Sequence, residues 1–131
     1  MTDEFKIEIV NPDQLFYSNE NILEAVIPAF EGEIGILKDH ISIISFLKPG
    51  IIKLKLNSSD EKTFYVEDGI IEFKENLLSI LTSNIVDLKN TSKDFFYKNL
   101  KEAEKLLEDQ ELNDQQRFLT SQKVDILKSI N

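Results

Sequence analysis

Apolar residues near the start of the chain recur with a period of two. Phe5, Ile7 and Ile9 alternate with Lys6 and Glu8, which predicts a strand with one face in a core and the other in water. Asn11-Pro12-Asp13 breaks that strand. Leu15 to Tyr17 reads as a brief second strand, Asn19-Glu20-Asn21 as a turn, and Ile22 to Ile27 as a third strand stopped by Pro28. Between Glu31 and Leu37, Gly32 and Gly35 surround Ile34 and Ile36, a spacing that predicts a tight turn feeding a short strand, or a bulge. Ile41 to Leu47 is apolar and β-branched, so a well-buried strand is expected, ended by Pro49-Gly50. Ile52, Leu54 and Leu56 then alternate with Lys53 and Lys55, Asn57 to Asp60 turns, and Phe64 to Val66 returns. Asp68-Gly69 carries the hairpin signal into Ile70 to Phe73, and Glu75-Asn76 turns the chain into Leu77 to Leu81. About nine short strands at this spacing predict an antiparallel β-sandwich or barrel over residues 1–87.

The period changes after Asp87. From Thr91 onward there is neither Gly nor Pro. Thr91 or Ser92 can cap a helix that has Asp94 in its first turn. Phe96, Leu100, Ala103 and Leu107 follow at helical spacing, with Leu106 widening the stripe. Glu111-Leu112-Asn113 interrupts, and Asn113 with Gln116 fits a capping box for a second helix. Leu119, Val124, Ile126, Leu127 and Ile130 give that helix a ragged apolar face, so it should dock shallowly. The short connection makes residues 88–131 an antiparallel helical hairpin.

Composition narrows the function classes. Of the 131 residues, 15 are basic and 24 acidic, a formal charge of −9, and residues 1–87 carry all of that imbalance. Nucleic-acid binding is disfavoured, because neutralising phosphates takes a basic surface. Electrostatic docking on anionic lipid is disfavoured for the same reason. With no cysteine, disulfides, zinc thiolate sites and thiol nucleophiles are excluded. No apolar run suits a signal peptide or a membrane span, so no direct membrane insertion is expected, and a role at a membrane would need another subunit to hold the chain there.

The residues that could carry chemistry do not assemble into a catalytic set. His40 is the only histidine, which rules out a multi-histidine metal site. Neighbouring Asp39, Ser42 and Ser45 do not by adjacency make a triad, and no G-x-S-x-G elbow is present. A structural or contact role for His40 is therefore the preferred reading. Glu31 and Glu33 flank Gly32 and, two residues apart, should point the same way into solvent. That suits a wet loop or a protein-docking tip better than acid–base work. Neither phosphate-binding glycine pattern occurs. The lysine–glutamate interleaving from Lys98 to Glu108 reads as a solvated helix face. From the residues alone, the chain is a non-catalytic interaction protein without metal or cofactor.

One stretch is more specific. Ile27-Pro28-Ala29-Phe30-Glu31-Gly32-Glu33-Ile34-Gly35-Ile36-Leu37-Lys38-Asp39-His40, continuing through Leu47-Lys48-Pro49-Gly50, resembles the epsilon subunit of F-type ATP synthases, which reads V-P-G-x-E-G-x-x-G-x-L-P-G-H-A-P-L-L and then L-K-P-G. Phe64-Tyr65-Val66-Glu67-Asp68-Gly69-Ile70-Ile71-Glu72 is similar to that family's F-x-V-S-G-G-F-x-E, and Ile7 to Pro12 to its opening. Lys38-Asp39 stands in place of Pro-Gly and Ile41-Ser42 in place of Ala-Pro, so the loop around His40 should be shaped differently. Some members bind ATP through [IL]-D-x-x-R-A. Here Val86-Asp87-Leu88-Lys89-Asn90-Thr91 keeps the aspartate, but Asn90 replaces the arginine, and ATP sensing is unsupported.

The resemblance implies a rotor subunit of a proton-translocating ATP synthase, at the foot of the central stalk against gamma and the c-ring. It would be peripheral on the cytoplasmic face of a bacterial inner membrane. It implies that Glu31, Gly32, Glu33 and His40 lie in ring-facing loops. It also implies a hairpin that rests on the sandwich or extends along gamma near the alpha and beta subunits, with Arg117, Lys123 and Lys128 as its contacts, and inhibits hydrolysis. The competing reading is a stand-alone β-sandwich interaction or ligand-binding module.

Overall fold

The computed structural model describes residues 3–130. The expected domain spans reach Met1 and Asn131, which with Thr2 lie outside the described residues. Nine strands run in order: β1 (Phe5–Val10), β2 (Leu15–Ala29), β3 (Gly32–Ile36), β4 (Ile43–Leu47), β5 (Gly50–Leu56), β6 (Glu61–Val66), β7 (Gly69–Lys74), β8 (Leu77–Leu81) and β9 (Ile85–Asp87). One layer has the order β1-β8-β7-β4, with β1 and β8 parallel; the other has β3-β2-β5-β6-β9. The long β2 joins them, pairing β1 with its first half and β3 and β5 with its second. The expected sandwich followed by two helices is the fold observed. Its core is the alternating inward set: Phe5, Ile7 and Ile9 from β1, Ile71 and Phe73 from β7, facing Ile22 and Ile27 from β2, Ile52 and Leu54 from β5, and Phe64 from β6.

Three sequence expectations change. Asn19-Glu20-Asn21 does not turn the chain, and Pro28 does not end the strand, because β2 runs unbroken through both. Asn19 Oδ1 accepts from the Asn21 N–H at 2.7 Å, and the register moves from Ile7↔Asn19 to Phe5↔Ile22, so that Lys6 alone faces Glu20 and Asn21. The polar cluster therefore makes a β-bulge that bends β2 between layers. Asp68-Gly69 is not a hairpin turn either. β6 pairs with β5 and β9 while β7 pairs with β4 and β8, so the dipeptide carries the chain from one layer to the other. Gly69 is required there: its φ is +148°, and a Cβ would meet the Leu81 carbonyl oxygen at 2.6 Å. Third, β4 is buried on one face only. Ser45 and Leu47 point inward, whereas Ile44 and Phe46 are 68% and 58% exposed.

The helices are α1 (Lys93–Leu106) and α2 (Asp114–Ile130). The Phe95 N–H donates to Ser92 Oγ, making Ser92 the N-cap of α1. Asn113 and Gln116 form the expected capping box, with bonds of 2.7 and 3.0 Å. Phe96, Leu100 and Ala103 of α1 meet Val124 and Leu127 of α2, and the sandwich adds Tyr65 to this second cluster. That explains why Thr63 to Val66 shows no alternation of burial. Phe64 and Val66 face the sandwich core, while Tyr65 on the opposite face of β6 is covered by the helices.

Candidate functional site

The outward face of the β1-β8-β7-β4 layer has an unusual surface. Cross-strand register places Val10 opposite Leu81, Leu81 opposite Ile70, and Ile70 opposite Phe46. Leu81, Ile70 and Phe46 are 50%, 43% and 58% exposed, so this apolar row crosses four strands with nothing among the described residues packed on it. Phe30, in the turn between β2 and β3, lies 6.4 Å from Phe46 ring to ring and extends the row. Ile44 continues it along β4, and Ile41, just before that strand, is also exposed. Contiguous exposed apolar surface of this kind marks an interaction site in a soluble domain.

Two loops bound this face. Phe30 and Glu31 form the β2–β3 turn, closed by Gly32 at the start of β3, which takes φ +130°. The Ser45 hydroxyl of β4 donates to Glu31 Oε1. That bond, then a backbone N–H, holds the Glu31 carboxyl below the usual carboxylate range. Glu33 instead borders a cleft with Lys48, Lys53, Gln122 and Ile126. The two glutamates thus go to different neighbours and do not form an aligned pair, because Glu31 sits in the turn and only Glu33 follows the strand pleat.

His40 lies beyond the far end of β3, which as a five-residue strand spans about 13 Å. Its Nδ1 is 2.7 Å from the Ile41 carbonyl oxygen and its ring packs edge-on against Phe73 at 5.9 Å. Asp39, at φ +67°, exchanges two hydrogen bonds with Asn76 in the β7–β8 turn, at 2.7 and 2.9 Å. This fastening shapes the loop where its sequence departs from the family pattern. Glu31, Gly32 and Glu33 are thus grouped at one end of β3, with His40 at the other.

The three basic residues of α2 have separate positions. Arg117 donates to the carbonyls of Leu107 and Asp109, both at 2.9 Å, and so caps the end of α1. Lys123 Nζ lies 3.0 Å from Glu67 Oε1 on the sandwich. Lys128 is exposed in the last turn of α2. Asp87, the retained residue of the nucleotide motif, accepts from Lys62 Nζ at 2.8 Å, the Lys89 N–H at 3.1 Å and Asn90 Nδ2 at 3.1 Å. Its carboxylate organises the linker into α1, and Asn90 is part of that turn.

Sequence reasoning missed Phe30, Ile44, Phe46, Ile70 and Leu81. The available signal was the run Ile41 to Leu47 itself. A strand apolar on both faces needs two covers, and the core supplies one. Among the described residues, no helix is long and apolar enough to cross a membrane.

A family model described as the ATP synthase delta/epsilon chain β-sandwich domain matches residues 4–87. The ATP synthase epsilon chain of Pelagibacter ubique is 56% identical over 131 residues, covering all of both chains. That of a Nitratiruptor species is 33% identical over 106 residues, covering 81% of each. Among solved structures, a chain of the Euglena gracilis mitochondrial ATP synthase OSCP/F1/c-ring assembly superposes with a TM-score of 0.76 at 19% identity, over 98% of this chain and 79% of that one. A chain of the Tetrahymena thermophila mitochondrial ATP synthase central stalk and c-ring gives 0.66 at 12% identity, over 98% and 96%. At these identities the two structures share the fold.

Proposed function

The chain belongs to the ATP synthase epsilon-chain family, and from that premise we propose that it is a non-catalytic rotor subunit seated on gamma through the apolar face of β1-β8-β7-β4. The observation that carries this reading is the row Leu81, Ile70, Phe46 and Phe30, which a free domain has no reason to leave uncovered. The edge strand β3 and the loops at its two ends, with Glu31, Gly32 and Glu33 at one and His40 at the other, would meet the c-ring loops. Exposed polar contacts are worth ~0.2–1 kcal/mol each, so the apolar face supplies most of the affinity and the loops supply orientation. The protein would lie peripherally on the cytoplasmic face of a bacterial inner membrane, held there by these partners.

The test is co-purification of gamma with Phe46→Lys and with Ile44→Glu. Both positions face water in the free protein, so thermal unfolding should stay near that of the unaltered chain. Gamma recovery should fall at least about tenfold, since each change places a charge in an apolar interface. Full recovery with either variant would overturn the assignment of this face.

The hairpin is proposed as at most a moderate inhibitor of ATP hydrolysis. Lys123 has its partner on the sandwich, which favours the docked state, while Arg117 is held within the hairpin. Three exposed or half-exposed contacts along gamma and beta would together give ~1–3 kcal/mol, enough to bias an equilibrium without locking it. The ATPase rate of the assembled catalytic head should therefore be moderately lower with the full chain than with residues 1–90, and the difference should shrink as salt rises. Equal rates at low salt would remove the inhibitory role.

A further inference from the structure

We propose that Glu67 is the centre of a latch that holds the helical hairpin on the sandwich in this protein. Glu67 Oε1 accepts from Lys123 Nζ of α2 at 3.0 Å, while its Oε2 accepts from the Tyr65 hydroxyl at 3.3 Å. One carboxylate at the end of β6 thus grips the helix pair directly and also orients the aromatic residue that the sandwich contributes to the helical core. Tyr65 packs edge-on against Phe96 of α1 at 5.8 Å. Burial, then the adjacent Glu67 charge, push the Tyr65 phenol well above its usual range, so it remains a hydrogen-bond donor at any physiological pH.

The rest of the seam is thin. Among the described residues, Tyr65 is the one fully buried side chain that the sandwich gives to the second cluster, with Val86 and Leu88 at its margin. Three further ion pairs lie within the strands or within α1. The side chains of Lys123 and Glu67 are 24% and 26% exposed. That is sheltered enough to weaken screening, yet open to water through a cleft bordered by Pro49, Asp68, Glu102 and Leu119. A pair so placed can break without unfolding either region. The latch is a property of the isolated chain and does not depend on the proposed place in the assembly.

The absence of native cysteine makes the test clean. Spin labels at Lys53→Cys and Ser129→Cys sit on opposite walls of the cleft between β5 and α2. In the otherwise unaltered full-length chain, double electron–electron resonance should give one short distance. E67K or K123E each replaces attraction with repulsion, and should raise the ratio of long to short distances about tenfold. The exchanged pair E67K/K123E should restore the short distance. If neither single change alters the distribution while circular dichroism shows intact helices, the latch is wrong. It is equally wrong if the exchanged pair leaves the long distance populated.

Discussion

The sandwich closes its core with sixteen buried apolar residues drawn from eight of its nine strands, whereas the two helices bury five of their own and complete their cluster with Tyr65 from β6. The sandwich also carries the full negative charge, and the hairpin region none. One region is therefore a self-sufficient body, while the other is a pair of helices whose packed form depends on a host. Short helices gain most of their stability from tertiary packing, so a hairpin with a small, shared core should open at lower cost than the body it rests on. That difference suits the proposed role, in which the body stays docked while the hairpin moves.

The largest effect should come from the body. Phe73 is fully buried, edge-on to Phe5 at 5.5 Å and against the His40 ring. Phe73→Ala should cost ~3–5 kcal/mol and lower the denaturant midpoint of strands and helices together, since the hairpin loses its host. A midpoint unchanged by this substitution would contradict the account of the core.

Phe96→Ala should produce a smaller, regional loss. It removes the largest helical side chain of the second cluster, at a local cost of up to about 3 kcal/mol. Helical dichroism should melt earlier while near-ultraviolet signals from the sandwich-core aromatics, such as Tyr17, Phe64 and Phe73, hold their midpoint. Simultaneous loss of both would show that the two regions unfold as one unit, and the contrast between them would fall.

The smallest effect concerns the linker. Burial raises the Asp87 carboxyl, but the Lys62 hydrogen bond and charge, with the backbone N–H groups of Lys89 and Asn90, outweigh it and leave the pKa lowered. The same bond raises Lys62, against some burial. A lowered carboxylate contributes stability above its unfolded value, about 3.9, and loses it as pH falls through the folded value. A raised lysine contributes below its unfolded value, about 10.4, and loses it as pH rises through the folded value. Both side chains are partly exposed, so the pair should be worth at most about 1 kcal/mol. The stability gap between Asp87→Asn and the unaltered chain should be level from about pH 5 to 9 and close as pH falls below the unfolded value of about 3.9 and through the folded one. A gap that persists at pH 2 would mean that the hydrogen-bonded turn, rather than charge, holds the linker.

Much of this molecule was legible from local pattern. The period of two located β1 and β5, and the change of period near Asp87 separated strands from helices, because alternation and helical spacing reflect which face meets a core. The Asn113–Gln116 box was legible because a cap is settled within four residues. Asn19 to Asn21 and Asp68-Gly69 were misread for a shared reason. The same polar or glycine-containing dipeptides serve turns, bulges and layer crossings, and only the distant pairing partners β1, β5, β4 and β9 decide among them.

By itself the sequence determined the two-part architecture, the charge imbalance and the family motif around Glu31 to His40, all of which are written in neighbouring residues. Only the tertiary structure decided that Ile44 and Phe46 face water, that Glu31 turns to Ser45 while Glu33 turns to the hairpin cleft, and that Lys123 reaches Glu67. Each of these depends on which strand or helix lies alongside. Strand register and layer order are set by the sum of long-range burial, so a residue's neighbour across the fold is invisible in the residues next to it along the chain.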